Sequence, residues 1–86
     1  MNDSSKLVAE NGTFLVDNSS TEPAYLYIVQ EDTVVTELEE TGDVDVMSEH
    51  NLTGKTLTKG YMITPRREHI TKIVLSSGSV NGVRGW

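Results

Sequence analysis

The sequence of 86 residues contains no cysteine, two histidines and few aromatic residues. Without cysteine the chain can form neither disulfides nor thiolate metal sites, and His50 and His69 are too few for a structural zinc site. No apolar run approaches the roughly 20 residues that a membrane-spanning helix needs. We therefore expect no metal, no cofactor and no membrane segment.

The length of the chain limits it to one domain, because a second core would have too little apolar material to fill it. We expect a flexible polar N-terminal arm at residues 1–5 and a single β domain at residues 6–86. The arm contains neither a basic leader nor an apolar stretch, so we expect no secretory signal and synthesis in a cytoplasm. A domain of this size is marginally stable, and packing against other chains is a common remedy; a monomer with a compact core is the alternative.

Charge is divided between two blocks of the chain, although the whole carries a net charge of −6. Residues 1–54 contain one basic residue, Lys6, against twelve acids, a net of −11. Residues 55–86 contain six basic residues against Glu68 alone, a net of +5. Such a chain can attract copies of itself, or present unlike faces to two neighbours. The six basic residues are Lys55, Lys59, Arg66, Arg67, Lys72 and Arg84.

Short apolar or alternating runs, broken by turn residues, recur along the chain, whereas helical spacing is nearly absent. This pattern predicts an all-β fold: a small antiparallel β-sandwich, a jelly-roll-like domain or a barrel, with about seven short strands. Residues 24–30 form the longest apolar run, which we expect at the centre of a sheet with both faces buried. Residues 6–9 and 13–16 flank Asn11-Gly12, a sequence that predicts a hairpin.

Two acidic segments, residues 33–39 and 43–47, are expected to form a meander whose acids line the solvent side of a half-buried sheet. Alternation in the first segment predicts two faces: Val34, Thr36 and Leu38 on one, and Val35, Glu37 and Glu39 on the other. Residues 55–58 are expected to form a short polar strand. Residues 76–79 are expected to form a hairpin loop between strands 69–75 and 80–84, with positive φ at Gly78 and a bulge at Gly82.

Residues typical of catalysis are scarce. We expect His50 to be solvated in a polar loop and His69 to lie on the surface where a strand begins. Serines are plentiful, but none lies in a Gly-x-Ser-x-Gly turn that would activate a nucleophile. Asp43 and Asp45 could bind calcium, but the spacing lacks a complete binding loop, and a solvated strand face is the simpler interpretation. We therefore expect a protein that is not an enzyme.

The basic cluster could contact nucleic acid, but binding phosphates requires a dominant positive field, which a net charge of −6 opposes. Few aromatic residues could stack on bases, because Tyr25 and Tyr27 fall in the expected central strand and leave only Tyr61 and Trp86. Conversely, the acidic run 31–49 could mimic DNA and inhibit a DNA-binding protein, although most acidic faces are simply solvated. Trp86 is either a free terminal side chain or an anchor in a neighbour's pocket.

Two segments in the second half of the chain contain a series of short motifs that follow one another in a fixed order. Residues 59–65 read Lys-Gly-Tyr-Met-Ile-Thr-Pro, and residues 70–80 read Ile-Thr-Lys-Ile-Val-Leu-Ser-Ser-Gly-Ser-Val. A Gly-x-x-Ile/Val-x-Pro strand, an Ile-Thr-x-Ile strand, a Ser-Gly-Ser/Thr turn and a last short strand follow one another in this way in small virion proteins of tailed bacteriophages. The chain resembles the closing half of these proteins over residues 59–80.

The resemblance implies a non-enzymatic virion structural protein. The function expected from it is that of a capsid decoration or cement protein, which binds the major capsid protein in many copies and associates with itself on the particle. A tail or neck protein is the nearest alternative. In this hypothesis the basic residues and the terminal indole contact acidic surface on the shell or on a neighbouring copy: Lys55, Lys59, Arg66, Arg67, Lys72, Arg84 and Trp86.

Two other classes of protein remain open. An acidic inhibitor or DNA mimic would form a small soluble complex instead of symmetric copies on a particle. An enzyme or sugar-binding domain of cupin-like shape would need a pocket with convergent polar side chains, and the scarcity of histidine disfavours it.

Overall fold

A computed structural model of the chain describes residues 12–84, which fold into eight β-strands. The strands are β1 (Thr13–Val16), β2 (Ser19–Ser20), β3 (Leu26–Val29), β4 (Val34–Glu40), β5 (Val44–Asp45), β6 (Met62–Ile63), β7 (Ile70–Ser77) and β8 (Val80–Val83). In the described part of the chain there is no helix of the length and apolarity that crossing a membrane requires.

The strands form two antiparallel four-stranded sheets. The first sheet has the order β1-β8-β3-β6 and the second β2-β7-β4-β5. Both sheets are open, so the molecule is a small sandwich and not a closed barrel, which confirms the predicted all-β class. The expected central position of residues 24–30 is also confirmed, because β3 lies between β8 and β6. Its outer face is only half-buried, however, at Leu26 and Ile28.

The core lies between the two sheets. In the first sheet the inward residues of neighbouring strands are in register, with Tyr27 opposite both Gly82 and Ile63. The second sheet contributes the inward side chains of β4 and β7, and each aliphatic side chain buried in this way contributes about 1.5 to 3 kcal/mol. The most deeply buried aliphatic residues of the strands are Val29, Val35, Leu38, Ile63, Ile70, Ile73 and Val80.

The predicted faces of residues 33–39 are wrong, because β4 contains a bulge. Val35 pairs with Leu75 and Glu37 pairs with Val74, which leaves Thr36 as an extra residue. An extra residue in one strand reverses the alternation beyond it. Val35 is therefore buried together with Leu38, and Thr36 is exposed; its hydroxyl donates to the Val74 carbonyl at 3.2 Å.

Gly82 marks a close contact and not the predicted bulge. Its pairing with Phe14 on one side and Tyr27 on the other is regular. A Cβ on Gly82 would overlap the ring of Phe14, which packs edge-on against Tyr27 with the ring centroids 5.9 Å apart. Glycine at this point of a strand provides the space for an aromatic ring.

Residues 76–79 do not form a hairpin, since β7 belongs to the second sheet and β8 to the first. The chain instead arches from one sheet to the other at Gly78, whose φ of 86° agrees with the predicted positive value. The arch is fastened to Thr33: the Ser79 amide donates to the Thr33 hydroxyl at 3.1 Å, and that hydroxyl lies 2.7 Å from the Glu31 carbonyl. The residues of 70–77 themselves favour a strand, but the strand with which they pair depends on contacts with distant parts of the chain.

The polar strand expected at 55–58 is reduced to one bridge, between Leu57 and Thr33. The turns on both sides contain glycines with positive φ, Gly54 and Gly60, and they interrupt a longer ladder. The expected arm at 1–5, the strand at 6–9 and Trp86 lie outside the described residues.

Candidate functional site

A buried carboxylate fixes two loops at one end of the sandwich. Glu40 is the last residue of β4 and points inward like Leu38, with no exposed surface. Its Oε1 accepts hydrogen bonds from the backbone N–H groups of Arg66 at 3.0 Å and Arg67 at 2.8 Å. Its Oε2 lies 2.7 Å from Nε2 of His50. A buried carboxylate is tolerated when its lone pairs are satisfied in this way.

His50 is therefore a structural residue and is not solvated as expected. Its side chain is 11% exposed and connects the loop after β5 to the end of β4. Glu40 follows the predicted acidic segment 33–39 directly, and sequence reasoning missed its role because glutamate is rarely buried. One signal was available, since Glu40 has the same parity as Leu38 in an alternating strand.

Three of the predicted interface cations are exposed and form no ion pair with any residue of the described range 12–84: Lys55, Lys59 and Arg66. The remaining described cations already have acidic partners within the molecule. Arg67 binds Glu49 at 3.1 Å, a contact that is half-exposed on both sides. Trp86, the last predicted contact residue, lies outside the described residues.

Lys72 and Arg84 also have acidic partners within the molecule. Lys72 Nζ lies 3.0 Å from Glu37 across the β4–β7 ladder, and the hydrogen bond and charge of Glu37 raise the pKa of Lys72 above its ordinary value. Arg84 binds Glu22 at 2.8 Å, and its guanidinium carbon lies 4.8 Å from the centre of the Phe14 ring. These two side chains serve the fold, because their charges are satisfied inside one molecule.

Folding thus places part of the acidic block of the sequence beside part of the basic block. The acidic strand β4 pairs along its length with β7, which carries Lys72. The basic residues do not form one face opposed to an acidic face. Three cations have no acidic partner within residues 12–84, and we call them the basic edge: Lys55, Lys59 and Arg66.

The basic edge follows one side of the sandwich. Residues 55–63 run from the start of β4, where Leu57 pairs with Thr33, to the outer side of β3, where Gly60 donates to the Val29 carbonyl at 2.8 Å. Arg66 is placed at the opposite end of β4 by Glu40. The seven residues of β4 span about 20 Å, so the charges are spread along an edge and do not form a pocket.

Exposed apolar side chains lie along the same segment. Tyr61 is 45% exposed and Met62 52% exposed, and no acid occurs between Glu49 and Glu68. A surface that combines unpaired cations with an exposed aromatic ring and a thioether is suited to contact with a protein that carries acidic groups.

Two concave regions lie on the surface of the described residues. A cleft of about 160 Å³ is lined by Tyr25, Thr64, Pro65, Arg67 and Glu68, and a wide groove of about 470 Å³ crosses the bulge of β4 beside Met47 and Gly54. Neither histidine lines them. Within residues 12–84 no three histidine or acidic side chains are placed to share a metal ion, and Asp45 accepts a hydrogen bond from the Met47 amide at 2.9 Å.

Comparison with known proteins adds no further assignment, since no protein-family model, no curated protein and no solved structure matches the chain. The functional conclusion therefore rests on the residues themselves. The unpaired cations and the exposed apolar residues both favour a protein-binding surface.

Proposed function

We propose that the chain is a non-enzymatic structural protein of a tailed-phage particle, which decorates or cements the capsid by binding the shell in many copies. The basic edge carries the proposal: in a molecule of net charge −6, Lys55, Lys59 and Arg66 are exposed and have no acidic partner among residues 12–84. Cations left unpaired beside exposed Tyr61 and Met62 are available for an acidic neighbour.

The proposal that the partner is a tailed-phage particle comes from the sequence resemblance over residues 59–80. Its first motif, residues 59–65, contains β6 together with Lys59 and Tyr61, and its later motifs fall on β7, the arch at Gly78 and the start of β8. A small sandwich that binds weakly at each site can still hold a lattice, because many simultaneous contacts multiply the effective affinity. Tail or neck proteins of the particle are the alternative partners.

The test is co-sedimentation of the full chain with purified heads, and separately with purified tails, of the phage that encodes it. We expect binding to heads in many copies, weaker at high salt because ions screen the contact. The variant Lys59→Gln/Arg66→Gln should lose most of this binding. The control Thr21→Glu/Ser76→Glu lowers the net charge by the same two units at exposed positions away from the basic edge and should keep it.

Binding to tails alone would replace the capsid by the tail as the partner. If the chain binds neither heads nor tails, the proposal is wrong and an acidic inhibitor is favoured. Exposed acids such as Asp17 and Asp43 are the relevant feature for that class of protein. Equal loss of binding in the two variants would show that total charge, and not the basic edge, governs the contact.

A further inference from the structure

The outer face of the first sheet carries a row of uncharged residues that crosses all four strands and is apolar on three of them. Leu15 of β1 and Ile28 of β3 both lie opposite Asn81 of β8, and Ile28 also lies opposite Met62 of β6. Leu15 is 65% exposed and Met62 is 52% exposed. Neighbouring strands are about 4.8 Å apart, so the row is about 14 Å long.

The adjacent row is also uncharged, but its central residue Val83 is buried, with 7% of its surface exposed. Thr13, Val83 and Leu26 are cross-strand partners on the same face. The outer face of the first sheet, as far as residues 12–84 define it, therefore carries no charge: Thr13, Leu15, Leu26, Ile28, Met62, Asn81 and Val83. We call this surface the neutral face.

The second sheet presents the opposite surface. Its outward side chains include Glu37, Glu39 and Lys72, which pair across the ladder. Because 23% of the residues in the chain are charged, a sheet face without any charged residue is unusual. The exposed charges therefore lie on the other surfaces of the molecule. A charged partner would have to give up hydration of its ions on the neutral face without receiving an opposite charge.

We propose that the neutral face binds the neutral face of a second copy of this chain. Two molecules of net charge −6 repel each other, and this is the broad surface on which they can meet without placing acids against acids. A two-fold contact requires one surface to be complementary to itself, and an uncharged, apolar sheet face meets this requirement. Two sheets packed face to face would lie about 10 Å apart.

The size of the neutral face limits the strength of this contact. Three strands of four residues and one of two residues cover on the order of 200 Å² in plan, well below the area that a stable dimer buries on each partner. The dimer is therefore weak and forms as the concentration rises. This inference does not rest on the proposed function, since it concerns copies of the chain in solution.

The test is sedimentation velocity of the full chain from about 10 μM to about 1 mM at moderate salt, a range that detects dissociation constants near 10⁻⁴ M. We expect the wild type to shift from monomer to dimer across this range, and Met62→Lys and Leu15→Lys to remain monomeric. Both changes reduce the net negative charge, so reduced repulsion cannot explain a loss of the dimer. Ser76→Lys makes the same change of charge at an exposed position of β7 and should dimerise like the wild type.

A wild type that stays monomeric throughout would overturn the inference. If removal of residues 1–11 then produced the dimer, the occupant of the neutral face would be the chain's own N-terminal segment. A dimer that survives both Met62→Lys and Leu15→Lys but not Ser76→Lys would place the contact on the second sheet and equally reject the neutral face. Circular dichroism of each variant confirms that folding is retained, as expected at side chains that are more than half exposed.

Discussion

At the scale of single residues, the most consequential side chain is Glu40. It is fully buried, and its two oxygens accept from two backbone amides and lie within hydrogen-bonding distance of His50. A carboxylate of this kind contributes specificity more than raw stability, because only one arrangement of the two loops satisfies it. Removing its charge leaves donors in the interior with a weaker acceptor.

We expect Glu40→Gln to lower the free energy of unfolding by about 1 to 3 kcal/mol, because a neutral amide oxygen is a weaker acceptor for the N–H groups of Arg66 and Arg67 and an NH₂ group replaces one carboxylate oxygen. Urea denaturation would show a lower midpoint with an unchanged slope. The neighbouring Glu39→Gln is the control: Glu39 is partly exposed and lies 3.9 Å from Lys72, so its loss should cost less than about 1 kcal/mol. Equal effects of the two changes would contradict a special role for the buried carboxylate.

At the scale of strands and turns, much of the fold could be predicted, because alternation and turn residues are local properties of the sequence. The strands at 13–16, 26–29 and 70–77 follow the predicted runs closely. The partner of a strand is not local, and so the arch at Gly78 was predicted as a hairpin although its positive φ was correct.

The same limit applies to the bulge and to the site. Nothing near Thr36 indicates an extra residue, because the bulge depends on the register with β7. Burial of Glu40 depends on two loops that are distant in the sequence. The sequence identifies the six basic residues, but it does not show which acids lie beside them in the folded protein. It therefore could not predict that Arg67, Lys72 and Arg84 are paired within the molecule.

The arch gives a prediction at this scale. Gly78→Ala should destabilise the domain by more than about 3 kcal/mol, because the left-handed backbone disfavours alanine and the new Cβ would overlap Thr33. Gly54→Ala and Gly60→Ala are matched controls: both glycines also have positive φ, but no atom lies within 4 Å of a Cβ there. They should cost only the backbone strain, about 1 to 2 kcal/mol. Thermal or urea unfolding of the three variants separates strain from overlap.

At the scale of the whole molecule, the sandwich has one charged outer surface and one neutral outer surface, with the basic edge along the side between them. Among the described residues, two buried side-chain atoms form no hydrogen bond, the hydroxyls of Tyr27 and Thr71, and Tyr27 is the one in the core. Burial raises the pKa of Tyr27 to about 12, and the nearby Ser20 hydroxyl opposes this shift without reaching hydrogen-bonding geometry.

This pKa sets a limit to the stability of the domain at alkaline pH. Below pH 10 both the folded and the unfolded state hold the phenolic proton; between pH 10 and about 12 the unfolded state releases it while the folded state retains it. The free energy of unfolding therefore falls as the pH rises through this window, by about 2 kcal/mol. Tyr27→Phe should be nearly neutral at pH 7, since the hydroxyl has no partner, and should remove this part of the loss. Denaturation of both proteins at pH 7, 10 and 11, the last being the midpoint of the window between pH 10 and about 12, measures the difference; parallel curves would contradict the assignment.

The position of β8 in the first sheet has a consequence for biosynthesis. β8 comprises residues 80–83, yet it lies between β1 and β3 and pairs with both. A ribosome completes β1 about 65 residues before it completes β8. Until then β1 lacks the strand with which it pairs in the finished sheet, and β3 has one pairing edge open. The first sheet can therefore be assembled only after residue 83 has been synthesised, and a translation arrest before residue 80 leaves two apolar strands without their common neighbour.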